Sequence, residues 1–247
     1  MAIAKRLSAR EIRAREIQQA FYASGGERTL DPEPGAKGQH DLPISLLLGF
    51  LGWAPVKSLL DVGAGTGRTL SMIKAAHPGL KLSGIEPVSA LREASVSRWG
   101  LTPGQIAEGD ATNMPFADNS FDLVCSFGIL HHIKDHGRAV AEMTRVARTA
   151  VFISDVNCYG QGGKLMRMIK HGLRTLGLWQ ASVLVRSRGK GHFWSDDGLY
   201  YSYSLIDDLP ILNGRFANVM LSNPTGQSTD HYRDSPYLVV IAHNEKS

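Results

Sequence analysis

The chain has 247 residues, of which 43% are hydrophobic, 20% are charged and 8% are aromatic. This composition excludes a disordered or collagen-like chain, and the length suits one large domain with an elaborated flank. A chain of this size can bury a core without disulfides, so Cys125 and Cys158 are predicted to be reduced thiols of a cytoplasmic protein. The first residues lack the apolar stretch of a secretory signal peptide, which supports the same expectation.

Positive charge is concentrated in one segment of the chain. The net charge is +4, yet the residues from Val156 to Ser195 include seven Lys or Arg and no Asp or Glu. The rest of the chain is therefore net negative. A local excess of this kind predicts an anionic partner at one place rather than a uniformly basic surface.

The first 55 residues are predicted to form a helical cap. Residues 8–22 have an amphipathic pattern, with Ser8 as the N-cap and Glu11 completing a capping box. A loop rich in glycine and proline follows, and residues 42–51 are predicted to form a short apolar helix.

Between residues 56 and 154, apolar strands alternate with helices. Strands are predicted at 56–62, 80–85, 105–108, 121–127 and 150–154, and helices at 66–77, 88–97 and 137–147. Such alternation is typical of a parallel sheet with helices on both faces. The predicted fold class is therefore α/β, with a doubly wound, mostly parallel sheet.

Residues 204–247 have a different pattern from the core. After a short helix at 205–209, two strands are predicted at 216–221 and 237–242 with no helix between them. Two successive strands without a crossover helix indicate an antiparallel hairpin at this end of the chain. The whole chain is predicted to be a single domain.

Residues 155–203 are too long for an ordinary connection and are predicted to be a basic insert or lid. One helix face in it is apolar, formed by Leu165, Met166, Met168, Ile169 and Leu173. Four interpretations remain open: contact with phosphates of a nucleotide-linked or lipid-linked sugar, peripheral membrane contact through 164–192, RNA binding, or a solvated lid. RNA binding is the least favoured of the functional ones, because no recognisable RNA-binding module accompanies the charges.

A glycine-rich turn follows the first predicted strand, in the sequence Leu59-Leu60-Asp61-Val62-Gly63-Ala64-Gly65-Thr66-Gly67-Arg68. Glycines allow a sharp turn and a close approach of the backbone to a ligand. The helix that follows offers its N-terminal N–H groups to an anionic group. The dinucleotide pattern requires a third glycine where Arg68 stands, which counts against NAD or FAD.

Acidic residues follow the next two predicted strands. Glu86, before Pro87, lies at the tip of the second strand, where a carboxylate can accept hydrogen bonds from both ribose hydroxyls. Asp110, before Ala111, follows the third strand and could accept a hydrogen bond from an adenine amino group. Together with the glycine turn, these acids predict a site for an adenosine-containing cofactor.

Taken in order from Leu59 to Ser154, these motifs resemble those of class I S-adenosylmethionine-dependent methyltransferases, in the broad group that includes the ubiquinone-biosynthesis methyltransferases. The resemblance implies a Rossmann-like sheet of seven strands, the last of them antiparallel. It also implies the cofactor contacts. These are Asp61, Gly63, Ala64 and Gly65 at the methionine part, Glu86 and Pro87 at the ribose, Asp110 and Ala111 at the adenine, and Phe127 close by.

The candidate catalytic residues are His131, His132 and Asp155, which follow the fourth and fifth predicted strands on the ligand side of the sheet. Either histidine could act as a general base, or the pair could only shape the loop. Asp155 could orient a histidine or bind a metal, but the fourth strand ends without the acid that an oxygen-ligand set needs, so no metal is predicted. His192 is a further candidate base, although a surface histidine in an insert is usually not catalytic.

Aromatic side chains outside the motifs are candidates for the acceptor site. Tyr22 is predicted to pack against Phe21 rather than to close over the methyl group. Residues 200–203, Tyr-Tyr-Ser-Tyr, either line an acceptor pocket or pack into the core.

The predicted function is methyl transfer to a small-molecule or lipid-linked acceptor, with O-methylation of a sugar or glycolipid precursor as the leading hypothesis. An anionic acceptor would be bound by Lys164, Arg167 and Lys170. The alternatives are an RNA methyltransferase, an NAD-dependent oxidoreductase and a non-catalytic cofactor-binding subunit.

Overall fold

A computed structural model of the chain describes residues 13, 16–17, 19–22, 24, 38–195, 198–225, 230 and 233–244. The strands in these ranges are β1 (Ser58–Val62), β2 (Lys81–Ile85), β3 (Ile106–Ala107), β4 (Phe121–Phe127), β5 (Ala147–Val156), β6 (Phe193–Ser195), β7 (Gly198–Tyr200), β8 (Asn218–Ser222) and β9 (Tyr237–His243). The α-helices are α1 (Asp41–Trp53), α2 (Arg68–Ala76), α3 (Ser89–Trp99), α4 (His136–Val146), α5 (Lys164–Thr175), α6 (Trp179–Arg186) and α7 (Leu209–Asn213). Short 3-10 turns lie at Leu130–His132, Cys158–Gly160 and Leu205–Asp208.

Seven of these strands form one sheet in the order β3-β2-β1-β4-β5-β9-β8. Strands β1 to β5 are parallel, and β9 lies antiparallel between β5 and β8. The predicted α/β class, the mostly parallel seven-stranded sheet and the antiparallel C-terminal hairpin are therefore confirmed. The carboxyl ends of β1, β2, β4 and β5 lie at one edge of the sheet, where ligands bind in open α/β folds.

Both faces of the sheet are covered by apolar residues. On one face, Leu60, Val124 and Met143 belong to a buried cluster that extends to α4 and α7. On the other face, Leu59 and Phe152 pack with side chains of α1 and α2. Alternating residues of β1 thus enter opposite cores, which is why the middle of each central strand is mainly apolar.

Strand β5 is longer at both ends than the predicted strand at 150–154. Its pairing with β9 continues from Ala150 opposite His243 to Val156 opposite Tyr237. The pairing places Asp155 inside the strand, and the insert begins after Val156 rather than at residue 155. The helix before this strand ends at Val146 for the same reason.

The N-terminal helix is only partly described. Residues 13, 16–17 and 19–22 are helical, whereas Ser8 and Glu11, the predicted caps, lie outside the described residues. Tyr22 is buried and meets Phe21 edge to face at 5.2 Å, beside Val88 and Leu91. The predicted packing of Tyr22 is confirmed. None of the described helices is both long and apolar enough to cross a bilayer.

A partly buried ion pair joins α4 to the segment that precedes α7. His136 Nδ1 lies 2.9 Å from Asp208 Oδ2, and the buried Tyr203 donates its hydroxyl to the same oxygen at 3.0 Å. Burial lowers the pKa of His136, but the hydrogen bond and the charge of Asp208 outweigh it, so the pKa is raised overall.

We expect this pair to stabilise the fold more at low pH than at high pH. A histidine whose pKa is raised by folding contributes fully below its unfolded pKa, and the contribution is lost as pH rises through the folded pKa. His136→Gln should therefore lower the free energy of unfolding by roughly 1 kcal/mol at acidic pH and by less at alkaline pH. Urea denaturation of both proteins at pH 5.5 and pH 8.5 measures this difference, and an equal loss at both pH values would contradict it.

Candidate active site

The turn between β1 and α2 has a conformation that requires glycine. Gly63, Gly65 and Gly67 all have positive φ, at 71°, 54° and 85°. A Cβ on Gly63 would lie 2.6 Å from Ile129 Cγ2, and one on Gly67 would lie 2.5 Å from Leu101 Cδ1. Larger residues at Gly63 and Gly67 are therefore disfavoured both by backbone strain and by contact.

The carboxylate of Glu86 crosses from the end of β2 to this turn. One oxygen accepts the backbone N–H of Gly65 at 3.1 Å, and the other accepts that of Val88 at 3.0 Å. Glu86 is buried, and burial raises its pKa although both N–H groups favour the charged form. A buried carboxylate beside a glycine turn can accept hydrogen bonds from the hydroxyls of a sugar.

A second buried carboxylate, Asp61, lies near Glu86. Its pKa is raised to about 7, first by burial and then by the negative charge of Glu86. The Cys125 thiol is 3.7 Å from one of its oxygens. Two buried acids in one place repel each other, so a ligand with positive charge would be stabilised between them.

The other predicted cofactor contacts lie around the same edge of the sheet. Asp110 Oδ1 accepts both the backbone N–H and the hydroxyl of Thr112 at 2.9 Å. Phe127, at the end of β4, packs on Phe152 with ring centroids 5.5 Å apart. Ala64 is buried, Ala111 is half-buried and Pro87 is exposed.

A groove of about 500 Å³ opens beside the loop that follows β2. Its lining comes from that loop, from α3, from the N-terminal helix and from the end of β3. It comprises Glu16, Gln19, Ala20, Pro87, Val88, Ser89, Arg92 and Glu108. The predicted ribose contact Pro87 is thus an accessible wall of a cavity, next to the buried Glu86.

The structure brings together two of the three candidate catalytic residues. His131 Nδ1 lies 2.8 Å from Asp155 Oδ1, and both side chains are buried. The backbone N–H groups of Leu130 and Val156 also donate to this carboxylate, at 2.8 and 2.7 Å. Burial pushes the pKa of Asp155 upward, but His131 and these N–H groups outweigh it and hold the pKa below its usual value.

An ionised Asp155 favours the tautomer of His131 that carries its proton on Nδ1. The other ring nitrogen, Nε2, then has the lone pair that can take a proton from a ligand. This is the arrangement of a histidine base oriented by a buried carboxylate.

The neighbouring His132 has a different environment. Its Nδ1 is 2.6 Å from the carbonyl oxygen of Leu199 in β7, and its ring lies 4.1 Å from the ring of His131. The hairpin β6–β7 of the insert therefore reaches the 3-10 turn that carries both histidines. His131 lies beside a buried carboxylate, and this geometry favours it as the proton acceptor.

His40, which precedes α1, was not predicted from the sequence to lie near the candidate catalytic histidine. A Cβ on Gly128, a residue with a φ of 66°, would lie 2.9 Å from His40 Cε1 and 4.0 Å from His131 Cε1. Burial lowers the pKa of His40, with the charge of Asp155 opposing it. No local motif marks His40, because only the tertiary fold brings α1 to the end of β4.

The aromatic residues at 200–203 were predicted either to line an acceptor pocket or to pack into the core, and the structure separates them. Tyr203 is buried and bonded to Asp208, so it is part of the core. Tyr200 and Tyr201 are half-buried, and the backbone N–H of Tyr201 donates to the carbonyl oxygen of His131 at 2.7 Å. The ring centroids of His192 and Tyr201 are 6.3 Å apart, and His192 is not a member of the His131–Asp155 pair.

Asp155 could, from its place in the sequence, either orient a histidine or bind a metal. Among the described residues, no group of three or more His, Cys, Asp or Glu side chains is arranged to hold a metal ion. Asp155 contacts an imidazole and two backbone N–H groups.

Comparison with protein families identifies the central segment. Residues 60–153 match the family model described as "Methyltransferase domain". The chain is 33% identical over 93 residues to a demethylmenaquinone methyltransferase of Thermotoga maritima, covering 37% of this chain and 39% of that protein. It is 32% identical over 95 residues to norajmaline N-methyltransferase of Rauvolfia serpentina, covering 37% of this chain and 32% of that protein. The matches thus span about two-fifths or less of each relative.

Solved structures share the fold over more of the chain. A phosphoethanolamine N-methyltransferase of Haemonchus contortus, solved with S-adenosyl-L-methionine, has a TM-score of 0.61 and 15% identity, covering 99% of this chain and 62% of that one. A possible histamine N-methyltransferase of Thermotoga maritima has a TM-score of 0.55 and 14% identity, covering 93% and 99%. These structures show a shared fold, and the match of residues 60–153 confirms the predicted resemblance to methyltransferases over that segment.

Proposed function

We propose that this chain, whose residues 60–153 form a class I methyltransferase domain, transfers the methyl group of S-adenosylmethionine to a hydroxyl oxygen of a small-molecule acceptor. One observation carries the choice of oxygen. The buried pair of His131 and Asp155 lies at the same edge of the sheet as the glycine turn and Glu86. A hydroxyl needs a base, whereas an amine or a phenolate needs less help.

The site fits this cofactor in shape and in charge. The glycine turn leaves its backbone open to close approach, and Glu86 would hold the ribose hydroxyls. Asp61 is buried near Glu86, so a sulfonium or ammonium group would relieve the repulsion of the two acids. Asp110 and Phe127 are proposed to contact the adenosine.

The cofactor would supply a methyl group made electrophilic by the sulfonium. The chain would bind the acceptor, orient its oxygen in line with the S–CH₃ bond, and exclude water. Alignment of this kind supplies roughly 7–11 kcal/mol of barrier reduction. Nε2 of His131 would take the hydroxyl proton as the C–O bond forms, and Asp155 would stabilise the resulting imidazolium.

We propose that the acceptor is a sugar or a lipid-linked sugar. The hairpin β6–β7 brings the half-buried Tyr200 and Tyr201 next to the turn that carries His131. Tyrosines offer flat apolar faces with a polar tip, which suits a sugar or a lipid-linked sugar. The insert, residues 157–203, is thus proposed to contribute to the acceptor side of the site within a single domain.

An anionic acceptor held by Lys164, Arg167 and Lys170 receives less support. Arg167 and Lys170 are bonded to groups of the chain itself, and only Lys164 of the three is exposed. The proposal therefore commits to the hydroxyl of the acceptor and not to a phosphate.

A label-transfer assay tests the function. The chain is incubated with methyl-labelled S-adenosylmethionine and a cell extract, and lipid, small-molecule and nucleic-acid fractions are separated. Alkali-stable label on an ether oxygen in the lipid or small-molecule fraction is expected. Label in RNA would overturn the acceptor class. Binding of NAD without binding of S-adenosylmethionine would restore the oxidoreductase alternative, and cofactor binding without transfer would indicate a non-catalytic subunit.

A further inference from the structure

Helix α5 of the insert turns its basic side chains toward the protein. Lys170 Nζ donates to the carbonyl oxygens of Cys158 and Gln161, at 2.7 and 3.0 Å. Arg174 pairs with Asp207 at 2.9 Å and lies over the ring of Tyr159. These cations recur at helical spacing, so the polar stripe of the helix is its inner face.

Arg167 belongs to the same inner stripe. It donates to the carbonyl oxygen of Gly162 at 3.1 Å and pairs with Asp234 at 3.0 Å. Of the seven cations in the acid-free stretch, Arg167 and Arg174 thus hold the insert onto the rest of the protein, and Lys170 joins α5 to the turn that precedes it. These side chains already bond to groups of the chain itself, so they are not the groups that face an external partner.

Most of the apolar face of α5 consequently faces solvent, and only its member Leu173 packs against the buried cluster that includes Trp179. Leu165 and Met168 are each 71% exposed, Ile169 is 46% exposed, and Leu176, just beyond the helix, is 71% exposed. Leu165, Met168 and Ile169 stand at positions i, i+3 and i+4, and Leu176 follows Ile169 by seven residues, so the four positions share one face. A surface helix normally buries such a stripe, so the orientation of α5 is the reverse of the usual one.

Helix α6 and the hairpin add to the exposed apolar surface. Trp179 and Val183 are buried, while Leu184 and Val185 on the opposite side of α6 are 50% and 80% exposed. Trp194 in β6 is 52% exposed. Nine of the fourteen large exposed hydrophobic side chains among the described residues lie between residues 165 and 194. We call this surface the outer face of the insert.

We propose that the outer face of the insert docks on an anionic lipid surface, with its apolar side chains in the headgroup region. Charge supports a lipid partner. No acid occurs from Val156 to Ser195, and Lys164, Arg188 and Lys190 are exposed cations in the same segment. Exposed apolar side chains accompanied by Lys and Arg are the composition of an interfacial helix. The proposal does not depend on methyl transfer, because lipid binding requires no turnover.

Sedimentation of the full chain with vesicles tests the proposal. One set of vesicles contains phosphatidylcholine with about one-third phosphatidylserine, and the other contains phosphatidylcholine alone. The wild type is expected to bind the anionic vesicles, and higher salt should weaken that binding. The double variant Leu165→Ser/Met168→Ser should bind about tenfold more weakly.

A matched control removes exposed apolar side chains elsewhere. Leu42 and Met220 are 52% and 56% exposed and lie outside the insert. Leu42→Ser/Met220→Ser should bind vesicles within about twofold of the wild type. Replacing Lys164, Arg188 and Lys190 with Gln should remove the preference for anionic lipid.

Two results would overturn the proposal. One is equal vesicle binding by the two double variants. The other is no vesicle binding by a wild type that self-associates in analytical ultracentrifugation, with Leu165→Ser/Met168→Ser restoring the monomer; that result would assign the outer face to a second copy of the chain. Both readouts are independent of the label-transfer assay.

Discussion

Replacing His131 with alanine is expected to lower the turnover rate by about 10²- to 10⁴-fold, which is the usual contribution of a general base. The imidazole is the group that would take the acceptor proton, and Asp155 holds it in place at 2.8 Å. Cofactor affinity should stay within about twofold, because the imidazole is proposed to act on the acceptor and not on the cofactor. Turnover with the labelled acceptor fraction and calorimetric titration with S-adenosylmethionine measure the two quantities separately.

His132→Ala is the matched control for this experiment. The two histidines are adjacent, but His132 is directed to the carbonyl oxygen of Leu199. Its loss should reduce turnover by less than about tenfold. Added imidazole should restore part of the activity of His131→Ala and none of the deficit of His132→Ala. If His131→Ala kept full turnover, the acceptor atom would be one that needs no base, such as an amine nitrogen.

Glu86→Ala should weaken cofactor binding by about 100-fold. The carboxylate is buried and accepts two backbone N–H groups, so it is fixed before any ligand arrives. Hydrogen bonds to a charged group contribute about 1.5–3 kcal/mol each, and fixed geometry reduces the entropic cost of binding. Titration with S-adenosylhomocysteine, which cannot transfer a methyl group, measures the loss directly.

Asp118→Ala carries the same change of charge at an exposed position that does not line the groove. Asp118 is 70% exposed and pairs with Arg145 at 2.7 Å. Its replacement should change affinity by less than about twofold, since exposed ion pairs contribute little. Thermal denaturation of both variants without ligand would show that Glu86→Ala is still folded. Equal losses of affinity in the two variants would show that Glu86 does not hold the ribose.

The order of elements in the core was predictable because local signals agreed with the tertiary fold. The run at 59–62 is apolar except for Asp61, as expected for a strand covered on both faces. Gly63, Gly65 and Gly67 all have the positive φ values that only glycine adopts readily. The position of Glu86 beside Gly65 followed from the strand order, since β1 and β2 are parallel neighbours.

Other features could not be predicted because they depend on long-range pairing. The extension of β5 through Val156 results from β9, which lies about 80 residues further along the chain. The amphipathic pattern of α5 was recognised, but which stripe faced the protein was not. That choice is made by Asp207, Asp234 and the carbonyl groups of the 158–161 turn, none of which is part of the helix.

The placement of β9 also has a consequence for how the chain acquires its active geometry. Leu238 lies opposite Asp155, and the backbone N–H of Asn157 donates to the carbonyl oxygen of Pro236 at 2.8 Å. Before these residues arrive, β5 is an edge strand with unpaired N–H and C=O groups, which is a template for aggregation. Contacts of high sequence separation form slowly. We therefore expect the carboxylate that orients His131 to be among the last parts of the molecule to be immobilised during folding. Fragments that end before β9 should be both inactive and prone to self-association.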